Sequence, residues 1–228
     1  RFINNSNETS QVFMVTSSIG GEGKTFFAIN LASVLASSKK KTILLGVDLR
    51  KPKIYGDFEL KNEFGLSSYL VGEATLERAI QKTKVPDLDL LSAGPIPPNP
   101  SELILSERFS MLIEELKGKY DYLVLDTPPI GLVADAFELI KFADSSVYVA
   151  RQGYTDQRLL NLVNQKYNAN EITKIAFVLN DYQVNKGYGF GYGLDYGYGY
   201  GYGYGYGYGY IEEDNKQDFW SKVKATFK

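Results

Sequence analysis

Residues 12–16 form a short apolar run that stops at Ser17, and Ser18-Ile19-Gly20-Gly21-Glu22-Gly23-Lys24-Thr25 follows at once, opening a helical pattern. A strand, a glycine-rich turn and a helix in that order confine the chain to folds where a backbone loop closes at the end of a buried strand. The glycines let successive N–H groups converge, and the helix start adds its partial positive charge. Such a turn suits a phosphate group. Lys24 is expected to meet the terminal phosphates of a nucleotide, with Thr25 on its magnesium ion. The spacing matches G-x-x-x-x-G-K-[ST] except that Ser18 stands at the first glycine position. The bland alternative is an ordinary glycine-rich turn.

Further short apolar runs at 42–47, 88–91, 122–126, 146–150 and 174–179 predict strands, mostly the continuous β-branched or aliphatic kind buried on both faces. Helical patterns at 25–37, 67–80, 101–117, 135–142 and 155–168 lie between them. This alternation predicts an α/β fold, a P-loop NTPase-like parallel sheet with helices on both faces. Ligands then bind at the carboxyl ends of the strands. The expected division is a domain over 1–182, a Gly-Tyr tail over 183–210 and a charged segment over 211–228, whose acidic-to-basic order suits a short helix.

Composition removes several chemistries. The 228 residues include no Cys and no His, so disulfides, thiolate metal sites and Cys or His catalysis are absent. A net charge of -2 gives no support for nucleic-acid binding. No stretch approaches the roughly 20 apolar residues of a membrane span, and no signal peptide precedes the first strand. The chain is expected to be a cytosolic piece of a longer protein, since it begins at Arg1 rather than Met.

Two further strand ends carry acidic residues. In Tyr120-Asp121-Tyr122-Leu123-Val124-Leu125-Asp126-Thr127-Pro128-Pro129, an apolar strand delivers Asp126, the arrangement that steadies magnesium beside a phosphate loop. Alone, Asp126 reads as a turn former. In Ile43-Leu44-Leu45-Gly46-Val47-Asp48-Leu49-Arg50, a buried strand ends in Asp48 and Arg50, with Gly46 expected on the same face as Asp48. They suit magnesium, an acceptor hydroxyl and phosphate charge, or else form a structural ion pair.

Together these segments resemble the bacterial tyrosine kinases that accompany capsule and exopolysaccharide export, from about Val12 to Asp181 and again in the tail. Asp48-Leu49-Arg50-Lys51-Pro52 is similar to that family's extra Walker A′ motif. Ser92-Ala93-Gly94-Pro95-Ile96-Pro97-Pro98-Asn99-Pro100-Ser101-Glu102-Leu103 is similar to another hallmark, as is Asp126-Thr127-Pro128-Pro129 continuing to Ala134-Asp135-Ala136. The resemblance implies ATP and Mg2+ as cofactors. The nucleotide would be held by Gly20, Gly21, Glu22, Gly23, Lys24 and Thr25, with Asn180 at a base edge or simply ending a strand. Thr25, Asp48 and Asp126 would hold the metal. Lys24, Asp48, Asp126 and Arg50 would carry the chemistry, with Asp48 as base. Arg151 occupies a family position without an assigned role. The family's D-x-D has Gly46 at its first place, which leaves the division of labour between Asp48 and Asp126 open. Its Glu- and Arg-containing oligomerisation motif would lie upstream of Arg1. The implied partners are other copies of the chain, held through docked tails, a transmembrane polysaccharide co-polymerase portion and a tyrosine phosphatase. The implied place is the cytoplasmic face of the inner membrane. Partitioning-type ATPases compete with this reading, but they carry a signature Lys where Ile19 stands. A structural module with an adhesive tail is the other rival, and the intact phosphate loop weighs against it.

Residues 187–210 alternate Gly and Tyr almost without interruption. Such a segment builds no packed core. Beside a kinase-like domain its tyrosines become expected phosphoacceptors: Tyr188, Tyr192, Tyr196, Tyr198, Tyr200, Tyr202, Tyr204, Tyr206, Tyr208 and Tyr210. Fully extended, the segment reaches about 80 Å, enough to enter a neighbouring subunit's site. Each phosphate adds about -1.5 to -2 charges, so phosphorylation is expected to drive docked subunits apart.

Overall fold

The computed structural model describes residues 10–131, 135–172 and 174–183. The tail tyrosines, the segment over 211–228 and Ala134 lie outside them. The first half runs β1 (Gln11–Ser17), α1 (Lys24–Ser37), β2 (Thr42–Gly46), α2 (Ile54–Asp57), α3 (Leu66–Val71), α4 (Leu76–Ala79), β3 (Ile80–Lys82) and β4 (Leu88–Leu91). It continues with α5 (Pro100–Ile104), α6 (Glu107–Lys117), β5 (Tyr122–Asp126), α7 (Asp135–Glu138), a 3₁₀ turn (Leu139–Phe142), β6 (Ser145–Arg151), α8 (Gln157–Asn168) and β7 (Ile175–Asn180).

The strands form one sheet in the order β3-β4-β2-β5-β1-β6-β7, parallel throughout except for β3, which runs antiparallel to β4. The expected fold class is therefore the observed one. Val12, Phe13, Met14 and Val15 of β1 are wholly buried, as a strand covered on both faces requires. One core joins Val12, Met14, Ile43, Leu45, Leu123 and Leu125 to Phe109, Leu112, Ile113 and Leu116 of α6. Each fully buried aliphatic side chain there contributes about 1.5–3 kcal/mol. Helix α1 packs against β1, β2 and β5. Its buried Ala28, Ala32 and Ala36 recur every fourth residue, so a row of small side chains lets the helix lie close to the sheet.

The order reverses around β1: β5 and then β2 lie on one side, β6 and β7 on the other. The carboxyl ends of β1, β2 and β5 meet there, with Val15 and Gly46 both in register with Asp126. This is the crevice in which open α/β sheets bind ligands.

Expected strands agree with observed ones to within one or two residues, but the helices need correction. The helix expected over 67–80 is two helices and a strand. Gly72 ends α3 in the left-handed region, and Thr75 caps α4 by accepting the Arg78 N–H. Ile80–Lys82 then leaves the helix to pair with β4. The helix expected over 101–117 breaks before Ser106, whose hydroxyl caps α6 by accepting the Phe109 N–H at 3.2 Å. The pattern over 135–142 tightens into the 3₁₀ turn, and α8 starts at Gln157 because Asp156 caps it. Helix α2 and strand β3 were not foreseen; at four and three residues, both are too short to show a period.

Candidate functional site

The turn after β1 takes the shape its glycines allow. Gly21 and Gly23 have φ of 88° and 96°, a region costly for other residues. Side chains there would also crowd their neighbours: a Cβ on Gly23 would lie 2.1 Å from Asn180 Nδ2 and displace that amide, and one on Gly21 would lie 3.0 Å from Tyr154 Oη. Gly23 caps α1 without a side chain, and no acidic residue occupies the first turn. Among the described residues, the N–H groups of Gly21, Glu22 and Gly23 meet no acceptor. A row of unpaired donors at an uncapped helix start fits an anion.

Lys24 and Thr25 open α1 and face the end of β5. The Thr25 hydroxyl donates to Asp126 Oδ2 at 2.8 Å, and Lys24 Nζ lies 3.2 Å from Asp126 Oδ1. Just past β2, the Val47 N–H donates to the Asp126 carbonyl at 2.9 Å, and the chain then brings the Asp48 carboxylate to 3.5 Å from Lys24 Nζ. The predicted Lys24, Thr25, Asp48 and Asp126 thus converge on one point. Burial pushes the Asp126 carboxyl above its ordinary range, while the Lys24 ammonium and the Thr25 hydroxyl pull it back. Lys24, Thr25 and Asp48 line a cavity of about 520 Å³ together with Gly20, Gly21, Gly23, Phe26, Arg50, Lys51, Lys53, Pro128 and Pro129.

The strand alternation expected to relate Gly46 and Asp48 does not reach Asp48, because β2 ends at Gly46. There a Cβ would meet Ala93 N at 3.1 Å and Ile54 Cγ2 at 3.2 Å, while Asp48 reaches Lys24. Arg50 Nη2 donates to Ser101 Oγ at 2.6 Å. The segment 92–103 holds that serine in place. Gly94 exchanges two hydrogen bonds with the Asn62 side chain, and Ser67 Oγ donates to the Pro95 carbonyl at 2.7 Å. Among the described residues, no three His, Cys, Asp or Glu side chains group to hold a metal ion. Thr25, Asp48 and Asp126 could supply only part of a magnesium shell, and oxygen donors of this kind suit that ion when phosphates and water complete it.

The Glu22 side chain turns away from the cradle. It is wholly buried, accepts the Ile19 N–H at 2.8 Å and takes the Thr155 hydroxyl, so only its backbone faces the loop's interior. Asn180 Nδ2 donates to the Glu22 carbonyl at 3.0 Å. Arg151 bonds the Gly21 carbonyl through Nη1 at 3.2 Å and pairs with Asp181 at 3.0 Å. Tyr154 Oη donates to the Gly20 carbonyl at 3.0 Å. Sequence reasoning missed Tyr154 and Thr155, because a turn 134 and 133 positions from its partners leaves no local pattern.

A family model described as an AAA domain matches residues 10–165. The tyrosine-protein kinase YwqD of Bacillus subtilis is 45% identical over 144 residues, covering 63% of this chain and 61% of YwqD. The chain thus spans less than two thirds of that relative. The tyrosine-protein kinase CpsD of Streptococcus pneumoniae is 35% identical over 187 residues, 81% of this chain and 82% of CpsD. Among solved structures, the kinase domain of the Escherichia coli tyrosine kinase ETK matches with a TM-score of 0.74 at 32% identity, covering 82% of this chain and 73% of that one.

Proposed function

The chain belongs to the bacterial tyrosine-protein kinases, on an AAA domain, and from that premise we propose that it transfers the γ-phosphoryl group of ATP to its own tyrosines between Tyr188 and Tyr210. Transfer runs in trans, between subunits of an oligomer held by docked tails. The observation that carries this reading is the Lys24 ammonium set between Asp48 and Asp126, at 3.5 and 3.2 Å, beside an uncapped helix start.

Phosphoryl transfer through a loose transition state asks for positioning and charge stabilisation more than covalent chemistry. The loop amides and Lys24 bind the phosphates. Thr25, Asp48 and Asp126 would hold a magnesium ion, which would supply positive charge against the phosphates. Tyrosine, with a pKa of about 10, arrives protonated. Asp48, less enclosed than Asp126, accepts that proton late. Arg50, steadied by Ser101, faces the same cavity and meets phosphate charge or a neighbouring subunit. Asn180 commits its Nδ2 to the loop, leaving Oδ1 to accept from the exocyclic amino group of a base.

Among the described residues, no helix is long and apolar enough to cross a membrane. We place the domain at the cytoplasmic face of the inner membrane, joined to or activated by a transmembrane co-polymerase portion. A tyrosine phosphatase resets it, and polysaccharide synthesis or export is what it regulates. Phosphorylated tails repel one another and release the oligomer.

Mixing two variants tests transfer between subunits. Lys24→Met keeps the tail and loses the ammonium; a chain ending at residue 186 keeps the site and loses the tail. With labelled ATP and magnesium, label on the Lys24→Met chain supports transfer in trans. Its absence, where the wild type labels itself, contradicts it.

A further inference from the structure

Three successive carbonyls of the phosphate loop are each held from outside it. Tyr154 Oη holds that of Gly20 at 3.0 Å, Arg151 Nη1 that of Gly21 at 3.2 Å and Asn180 Nδ2 that of Glu22 at 3.0 Å. The donors come from the end of β6, the turn that follows, and the end of β7. A trans peptide points its C=O and N–H in opposite directions within one plane. The carbonyls of residues 20, 21 and 22 share their planes with the N–H groups of Gly21, Glu22 and Gly23. Holding the former from one side therefore aims the latter to the other, and Gly21 and Gly23 line the cavity.

Glycines offer the loop no side chains with which to hold itself, and their backbone freedom is wide. Glu22 supplies the missing anchor. Its buried carboxylate binds the Ile19 N–H within the loop and the Thr155 hydroxyl outside it. Thr155 Oγ1 also accepts the Arg151 N–H at 2.8 Å, so one hydroxyl joins the gripping turn to the loop. A carboxylate kept out of water is tolerable only when hydrogen-bonded in this way.

We propose that Tyr154, Arg151 and Thr155 are positioning residues that grip the phosphate loop by its carbonyl side and so preset its amides toward the phosphates. The inference rests on the nucleotide-binding reading above. Preset donors need no reorganisation when the charged group arrives, which is where such sites gain most.

The full chain, with Tyr154→Phe, Thr155→Val and Thr155→Ser variants, decides the matter. Affinities for MgATP, for inorganic tripolyphosphate and, by competition, for adenosine are measured by calorimetry. Tyr154→Phe keeps its ring and loses one donor, so both phosphate ligands bind about fivefold more weakly. Thr155→Val loses at least as much, and Thr155→Ser returns to within about twofold of wild type. Adenosine affinity stays constant throughout. A turn that merely stabilises the fold would leave the balance between phosphate and adenosine unchanged. Wild-type tripolyphosphate affinity in both Tyr154→Phe and Thr155→Val overturns the proposal, as does an adenosine loss that keeps step. If Thr155→Val does not fold, Tyr154→Phe alone decides. A wild-type chain that binds no MgATP overturns the nucleotide reading itself, and this inference with it.

Discussion

The Thr25 hydroxyl donates to Asp126 Oδ2 at 2.8 Å, joining the first turn of α1 to the end of β5 across 101 residues of sequence. The contact exists because β1 and β5 are neighbours in register, with Val15 opposite Asp126. Whatever binds the loop after β1 therefore meets a carboxylate delivered by a different strand.

That carboxylate sets a pH dependence. Burial raises its folded-state pKa above the ordinary 3.8. A raised value means the protonated form favours folding. The contribution is fully present below pH 3.8 and is lost as pH rises through the folded value. In chelator, urea unfolding should show wild-type stability declining across that window, and Asp126→Asn should make the decline shallower, with Asp57, also raised by burial, keeping its share. The variant should also lose magnesium-dependent nucleotide binding.

Lys24 neutralises two carboxylates at once, with its side chain 12% exposed. Lys24→Met should keep its circular dichroism spectrum and lose phosphoryl transfer. It should also gain a new response. With the ammonium gone, magnesium alone should raise the melting temperature of the variant more than that of wild type, since Asp48 and Asp126 then face each other without a cation.

Asp48→Asn separates chemistry from binding. Loss of a general base costs about 10²–10⁴ in rate, whereas nucleotide affinity rests mainly on the loop amides and Lys24. The expected result is a rate lower by at least about 100-fold, with MgATP affinity changed less than about fivefold. Full turnover would remove Asp48 from the base role.

Restoring the family's missing aspartate should fail. A Cβ at Gly46 meets the backbone nitrogen of Ala93 at 3.1 Å and Ile54 Cγ2 at 3.2 Å. Gly46→Asp should lower stability by about 1–3 kcal/mol in denaturant unfolding without raising the transfer rate.

Much of this is legible in the sequence. Strand, glycine turn and helix around Lys24 follow one another in sequence, so the cradle could be read directly, and the buried strands announced themselves as unbroken aliphatic runs. Asp126 and Asp48 could be named because each ends such a run. The break at Ser106 was harder, since a capping serine inside a helical pattern looks like any surface serine. The exposed turn that contributes Tyr154 and Thr155 carries no motif; only the adjacency of β6 to β1 brings it to the loop. The same holds for Ser101 beside Arg50, which depends on how residues 92–103 fold around Asn62 and Ser67.

The most direct measurement is to incubate the full chain with labelled ATP and magnesium and to map phosphotyrosine by mass spectrometry. Label on tyrosines within residues 188–210, absent from Lys24→Met, is the expected result. Nucleotide consumed while every one of those tyrosines stays unmodified would contradict transfer to the tail.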